Sequence, residues 1–264
     1  MSEAIHLQFD TAFFLKFVFH PSPALIEGLV LTVLAAIFSQ IIGTVIGVVL
    51  AVFGTSKWLG FRALNQIYIW FFRGTPVLVQ LVLIYFGLPY LLGFDLFPAV
   101  MHFGPIVTNG ALVAGIFAFG LHEGAYMSEI TRAGIGAIDL GQTEAARALG
   151  MTPMLTLRRI VLPQTVPVIL PALGNQFNNM IKTTALLSVI GVGEMFRVAE
   201  QLQAATFATF EVYLGVSVYY LALTAVWTLL QMSLEAWLAR RQRRGNSVGR
   251  SKQQPQMVMA DGSL

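Results

Sequence analysis

Five runs of mainly apolar residues, near 28–53, 75–93, 108–132, 166–190 and 211–238, are each long enough to cross a lipid bilayer, because a span takes about 20 such residues at about 1.5 Å of rise per residue. In hydrocarbon every backbone N–H and C=O must find a partner inside the protein, which makes helices the expected form of such runs. The expected fold class is therefore all-α: a polytopic membrane protein with five transmembrane helices. The second run is short, and the fourth is interrupted by Pro167, Pro171 and a polar patch, so the edges of these two are the most open to shift.

The rest of the chain agrees. Of 264 residues, 56% are apolar and only 11% charged, where a soluble domain carries about 25% charged residues. There is no cysteine, and the four histidines are scattered, so neither a disulfide framework nor a zinc site is expected. No metal or other cofactor is expected on this chain.

Charge sets the orientation. Of the 16 Lys and Arg, thirteen fall on one side of the five runs: Lys57, Arg62, Arg73, Arg132, Arg147, Arg158, Arg159 and the six from Arg240 to Lys252. Lys16 and Arg197 fall on the other side and Lys182 lies within a run. The basic side belongs in the cytoplasm, which places the N-terminus outside and the C-terminus inside. Residues 1–23, with Glu3 and Asp10 where a signal peptide would be basic, read as an external interfacial segment. Residues 240–264 read as a basic tail too polar to fold alone, acting as an orientation signal, with no nucleic-acid partner expected.

The longest cytoplasmic loop, residues 134–165, contains EAARALGMTPMLTLRRIVLP from Glu144 to Pro163. Asp139 is placed to cap a helix through this stretch, Gly150 to end it in a left-handed conformation, and Thr152 with Pro153 to cap and open a second. Ala145, Ala146 and Ala148 permit close approach, while Leu149, Met151, Leu155 and Ile160 supply apolar knobs. The residues alone leave two readings open: a rigid dock for another protein, or an amphipathic helix lying on the bilayer with its arginines at the headgroups.

The spacing of Glu144, Ala145, Ala146, Gly150, Ile160, Leu162 and Pro163 matches the EAA loop of ABC importer permeases. Around it, FFRGTP (Phe71 to Pro76), GAYMSEITRAGI (Gly124 to Ile135), LPQTVPVILPALGNQF and KTTALLSVIGVGE (Lys182 to Glu194) resemble the polar amino acid branch of that family, the histidine and glutamine type, over roughly residues 24–238. The resemblance implies the type I importer permease fold, with 24–239 as the permease domain. It implies pairing with a second permease, identical or homologous, docking of two ATPase subunits, and delivery of an amino acid by an external solute-binding protein, all at a bacterial plasma membrane. The chain has no GxxxxGK[ST] loop, so ATP and magnesium are expected to be used by the partner ATPase. Glu144, Ala145 and Gly150 are the implied coupling core. For Glu144, a helix-stabilising charge near an N-terminus is the other reading, worth about 0.3–1 kcal/mol.

A charge near mid-bilayer costs about 2.5–3.5 kcal/mol on insertion scales, so Glu123 and Lys182 need a reason to be where they are. Tyr126 lies one turn from Glu123, and Asn175, Asn178, Asn179 and Lys182 recur at helical spacing on the fourth run. A zwitterionic amino acid would find an acceptor in Glu123 and a cation in Lys182. The alternative is that the two neutralise each other while the asparagines tie helices together. Related permeases commonly carry Lys-Asp-Thr-Ser-Leu where this chain has Lys182, Thr183, Thr184, Ala185 and Leu186, so an acidic partner for the lysine is missing. Thr32 and Gln80 on the first two runs are further candidates for the pathway. Gly43 and Gly47 form a GxxxG that suggests close helix packing, and Glu194, Arg197 and Glu200 suggest a solvated rim helix outside the membrane. The rival class is a carrier or channel driven by an ion gradient; five spans without paired repeats fit it poorly.

Overall fold

The computed structural model describes residues 9–251 and is almost entirely helical. A short α1 (Thr11–Phe19) precedes the 32-residue α2 (Pro23–Gly54), which starts on a Ser22 cap and a proline in its first turn. There follow α3 (Leu59–Gly74), α4 (Val77–Val82) and α5 (Leu88–Leu92), then α6 (Gly110–Gly136), α7 (Leu140–Ala148), α8 (Pro153–Thr156), α9 (Leu162–Thr183), α10 (Met195–Thr206) and α11 (Thr209–Ser251). A two-stranded antiparallel hairpin, β1 (Met101–Phe103) with β2 (Ile106–Thr108), is a small departure from an all-helical chain. Its turn is made by Gly104 at φ 63° and Pro105, a conformation and a residue that no helix would accommodate there.

By length and apolarity, α2 and residues Thr209–Arg240 of α11 qualify as membrane spans among the described residues. A third candidate is the pair formed by α3 and residues Val77–Leu92, bent by 105° at the break. The second expected run, near 75–93, coincides with the segment Val77–Leu92, and the helix ahead of the bend, α3, carries Arg62 and Arg73. The helix α11 runs on through Ser251, into the stretch expected to be a basic tail; Ala239 to Arg244 are good helix formers. The remainder of that tail, 252–264, lies outside the described residues, as do residues 1–8 of the N-terminal segment.

Glycine sets the centre of the fold. On α2, Gly43 lies against the Cβ and Cγ of Glu123, and Gly47 against Met127 and the backbone of Ser128; on α6, Gly120 and Gly124 receive Ile42 and Ile46 in return. Two GxxxG faces thus interlock, and the helices approach more closely than any side chain at those positions would allow. Around this pair, Ala35, Ala36, Leu81, Phe119, Phe177, Met180 and Leu187 form the main core. A second cluster joins Phe17, Leu25, Met195, Val212 and Val216, so that α1 packs on α11 rather than lying apart from it. Tyr219 Oη donates to the carbonyls of Phe17 and Val18 at 3.0 and 2.7 Å, anchoring α1 there.

Two prolines explain two local widenings. Pro89 and Pro163 have no N–H to offer the carbonyl four residues back. Just ahead of each, the chain makes a π-turn, Leu83–Gly87 and Leu157–Val161, with Leu88 N and Leu162 N donating to the carbonyls of Leu83 and Leu157. The second π-turn welds α8 to α9, and α9 runs directly into a 3₁₀ segment, Thr184–Ile190.

The 105° bend is held by Gln80. Its buried Nε2 is shared among Phe72 O, Thr75 O and Thr75 Oγ1 at 2.9, 3.0 and 2.7 Å, closing the open C-terminus of α3 from the start of α4. Gln80→Leu is expected to leave these groups unsatisfied at a cost of about 1–3 kcal/mol, read as a drop of several degrees in the melting temperature of the detergent-solubilised protein. An unchanged melting curve would mean the bend is set by other contacts.

Candidate functional site

Glu123 sits on α6 at the α2 interface, 4% exposed, and accepts a hydrogen bond from Gln40 Nε2 at 3.1 Å. The room for its side chain exists because Gly43 has none. Gln40 Oε1, on the same amide, is buried without a hydrogen-bond partner among the described residues. Glu123 lines a cavity of about 180 Å³ together with Phe119, His122, Tyr126, Gln176, Asn179, Met180 and Thr183, between α6 and α9. The cavity thus holds a carboxylate, an imidazole, a phenol and two amides against an apolar floor, a donor and acceptor set suited to a small polar solute.

Its polar groups are linked outward. His122 Nδ1 lies 2.9 Å from Gln80 Oε1, an acceptor, which assigns that ring nitrogen as the donor. Gln80 therefore reaches the cavity wall through His122 while pinning the α3–α4 bend. On the other side Arg73, at the end of α3, pairs with Glu129 and lies over the Tyr126 ring at 5.2 Å from its centroid.

Of the expected pathway residues, Glu123, Tyr126 and Asn179 come together here and Gln80 stands behind them. Lys182 does not join them. It lines a separate cleft with Ala185, Phe196, Tyr213, Val216, Ser217 and Tyr220, and among the described residues no ion pair joins it to Glu123. Asn179 and Thr183, four residues apart, share the face of α9 that lines the cavity, whereas Lys182, about 100° around the helix from Thr183, lines the cleft against α10 and α11. Asn175 is exposed and lies outside the cavity, and the half-buried Asn178 keeps a buried Oδ1 without a partner.

Thr32 is also elsewhere. It is fully buried, donates to Glu194 Oε2 at 3.3 Å and accepts from Met195 N at 3.2 Å. Glu194 is the larger correction: it is not on a solvated rim but fully buried as the cap of α10, accepting from Phe196 N, Arg197 N and Tyr220 Oη at 2.9, 2.7 and 3.2 Å. A carboxylate with that many donors is a fastening between α2, α10 and α11. Gln40, His122 and Gln176 were missed. Gln176, three residues before Asn179, could have been found by testing the neighbouring stripe of α9; Gln40 and His122 carried no pattern of their own.

The loop over residues 134–165 forms the elbow expected of it. Asp139 Oδ1 accepts from Gly141 N at 2.7 Å at the start of α7, and Thr152 Oγ1 accepts from Leu155 N at 3.3 Å at the start of α8. Between them Gly150 has φ 74°; its N–H donates to Arg147 O at 2.9 Å, and Met151 N–H donates to Ala146 O at 3.1 Å. This is a Schellman stop, which needs a left-handed residue at the glycine position. Ala146 is buried beneath it, whereas Glu144 and Ala145 face outward. Leu140, Leu149 and Met154 stand 77%, 83% and 66% exposed. Ile160 and Leu162 are half-buried and Pro163 exposed along the weld into α9.

A helical permease-like bundle with a small polar cavity and an outward elbow defines a class of transport protein. The chain belongs to the family of binding-protein-dependent transport system inner membrane components, whose model matches residues 43–244. It is 38% identical over 82% of its length to the probable amino-acid permease protein YxeN of Bacillus subtilis (strain 168), covering 92% of that protein. To the arginine transport system permease protein ArtQ of the same organism it is 37% identical, covering 81% of this chain and 91% of that one. Among solved structures it resembles an amino acid ABC transporter crystallised with histidines, with a TM-score of 0.71 and 36% identity over 84% of this chain and 97% of the other.

Proposed function

We propose that this chain is the membrane permease half of an ATP-driven importer for a polar amino acid in a bacterial plasma membrane. Five segments cross the bilayer in this reading: α2, the bent α3 to α5 unit, α6, α9 with its 3₁₀ extension, and α11, with the N-terminus outside and the C-terminus in the cytoplasm. The carrying observation is the elbow: α7 ends on a Schellman stop with its apolar knobs unpartnered, and α8 continues through a π-turn into α9 without a flexible joint. ATPase subunits that grip α7 would move α9 as a lever, and α9 forms one wall of the Glu123 cavity. A second permease completes the pathway, an external solute-binding protein delivers the substrate, and ATP and magnesium are used by the ATPase. Leu149→Asp is expected to weaken binding of the cognate ATPase to the detergent-solubilised permease by about tenfold or more, the scale for truncating a buried anchor. Unchanged affinity would remove α7 as the dock.

Glu123 receives the substrate's ammonium group in this cavity, and Gln40 holds its carboxylate from the neighbouring helix. Glu123→Gln keeps the shape and removes the charge. It is expected to raise the KM for uptake by roughly tenfold to a hundredfold, from loss of a charge-assisted bond worth about 1.5–3 kcal/mol. Wild-type KM and turnover for every amino acid tried would remove Glu123 from the site.

A further inference from the structure

We propose that the cytoplasmic-side cleft between α3 and α6 is a binding site for the headgroup of an anionic phospholipid. The cleft, about 430 Å³, is lined by Gly54 at the end of α2, by Arg62, Asn65, Gln66, Ile69 and Trp70 of α3, and by Glu129 and Arg132 of α6. Its charge is unbalanced. Among the described residues, Glu129 is the one carboxylate on its wall and is already paired with Arg73, so Arg62 and Arg132 face the cleft with no carboxylate in ion-pair range. Asn65 Oδ1 accepts from Ser128 Oγ at 3.0 Å, so the amide Nδ2 of Asn65, the Gln66 amide and the two guanidiniums are the donors the cleft offers. Two guanidinium forks around a pocket of this size fit a phosphate.

A lipid rather than a protein is favoured by what adjoins the cleft. Leu59, Ile67 and Trp70 follow the arginine face of α3 around the helix and stand 78%, 63% and 75% exposed, an apolar strip continuous with the cationic one. The amphiphile that matches both has an anionic head and acyl chains. A tryptophan at the junction suits the headgroup boundary. Since the bend at residues 75–76 turns on the end of α3, a headgroup bridging Arg62 to Arg132 would brace α3 against α6 beneath the Glu123 cavity. The cytoplasmic assignment of the cleft rests on the orientation proposed above; the binding chemistry does not.

The experiment is quenching of Trp70 fluorescence by phospholipids brominated on their acyl chains, with the purified chain in vesicles and the Trp70→Phe variant subtracted to isolate this residue. Brominated phosphatidylglycerol is expected to outcompete brominated phosphatidylcholine by roughly tenfold to thirtyfold, given two arginines near a membrane surface. Arg62→Gln with Arg132→Gln should abolish the preference, Arg62→Lys with Arg132→Lys should retain part of it, and Arg158→Gln with Arg159→Gln should leave it unchanged. Equal quenching by the two lipids in the wild type overturns the proposal. So does displacement by inorganic phosphate, which would make the ligand a free anion. So does loss of ATPase binding in the glutamine pair with lipid preference intact, which would make the cleft a protein contact. Because quenching needs neither ATP nor a partner, ATP-driven uptake measured in the same vesicles separates failure of this site from failure of the importer reading.

Discussion

Gly150→Val is expected to insert normally and to reduce ATP-driven uptake by about tenfold or more. The argument is confined to the backbone. Gly150 holds φ 74°, yet a Cβ added there would meet nothing within 4 Å, so a side chain causes no clash and the whole cost is conformational. A left-handed residue with a Cβ costs about 1–2 kcal/mol, more when the side chain is β-branched. That is enough to shift the elbow from its Schellman geometry in most molecules, and with it the angle between α7 and α8. Gly150→Ala should show a smaller loss and Gly150→Asn the smallest, since asparagine tolerates this conformation. That ranking, measured as uptake and as stimulation of the ATPase at equal amounts of inserted protein, is what a packing defect would not give. Equal activity of the three variants would mean the elbow's shape is not what transmits force.

The largest structural effect is expected at Gly47. Any side chain there runs into Cβ of Met127 and the backbone of Ser128, and neither can move without displacing α6. Gly47→Leu should therefore separate α2 from α6 and abolish recovery of a monodisperse protein in detergent, with overpacking costs of about 1–3 kcal/mol as a floor. Gly60→Leu is the control: its Cβ would meet nothing within 4 Å, and yield should stay at the wild-type level. Full recovery of the Gly47 variant would mean the two helices do not interlock as described.

These two glycines also mark how far the sequence could be read. Gly150 was legible because its meaning is local: a helix cap upstream, a threonine-proline start downstream, and a turn that only a left-handed residue can make. Gly47 was half legible; the GxxxG was visible, but not that α6 answers it with Gly120 and Gly124. The long apolar helices could be placed because twenty greasy residues have few alternatives. The bend after α3 could not, since it depends on Gln80 reaching back over the break to carbonyls near residues 72–75, a contact that no periodicity encodes. The cavity shows the same division. Glu123 stood out as a charge in an apolar run, whereas Gln40 and His122 are ordinary polar residues until the fold brings them to it. Glu194 looked like surface for the same reason: nothing local announces that Thr32 and Tyr220 will converge on it.

The central claim is that force reaches this chain from outside, through the elbow. Its most direct test is uptake of a radiolabelled amino acid into proteoliposomes containing the permease and its external binding protein, with and without the ATPase. Accumulation should require both the ATPase and internal ATP, and should be indifferent to collapse of proton and sodium gradients. Accumulation against a concentration gradient by the permease without the ATPase would contradict the account.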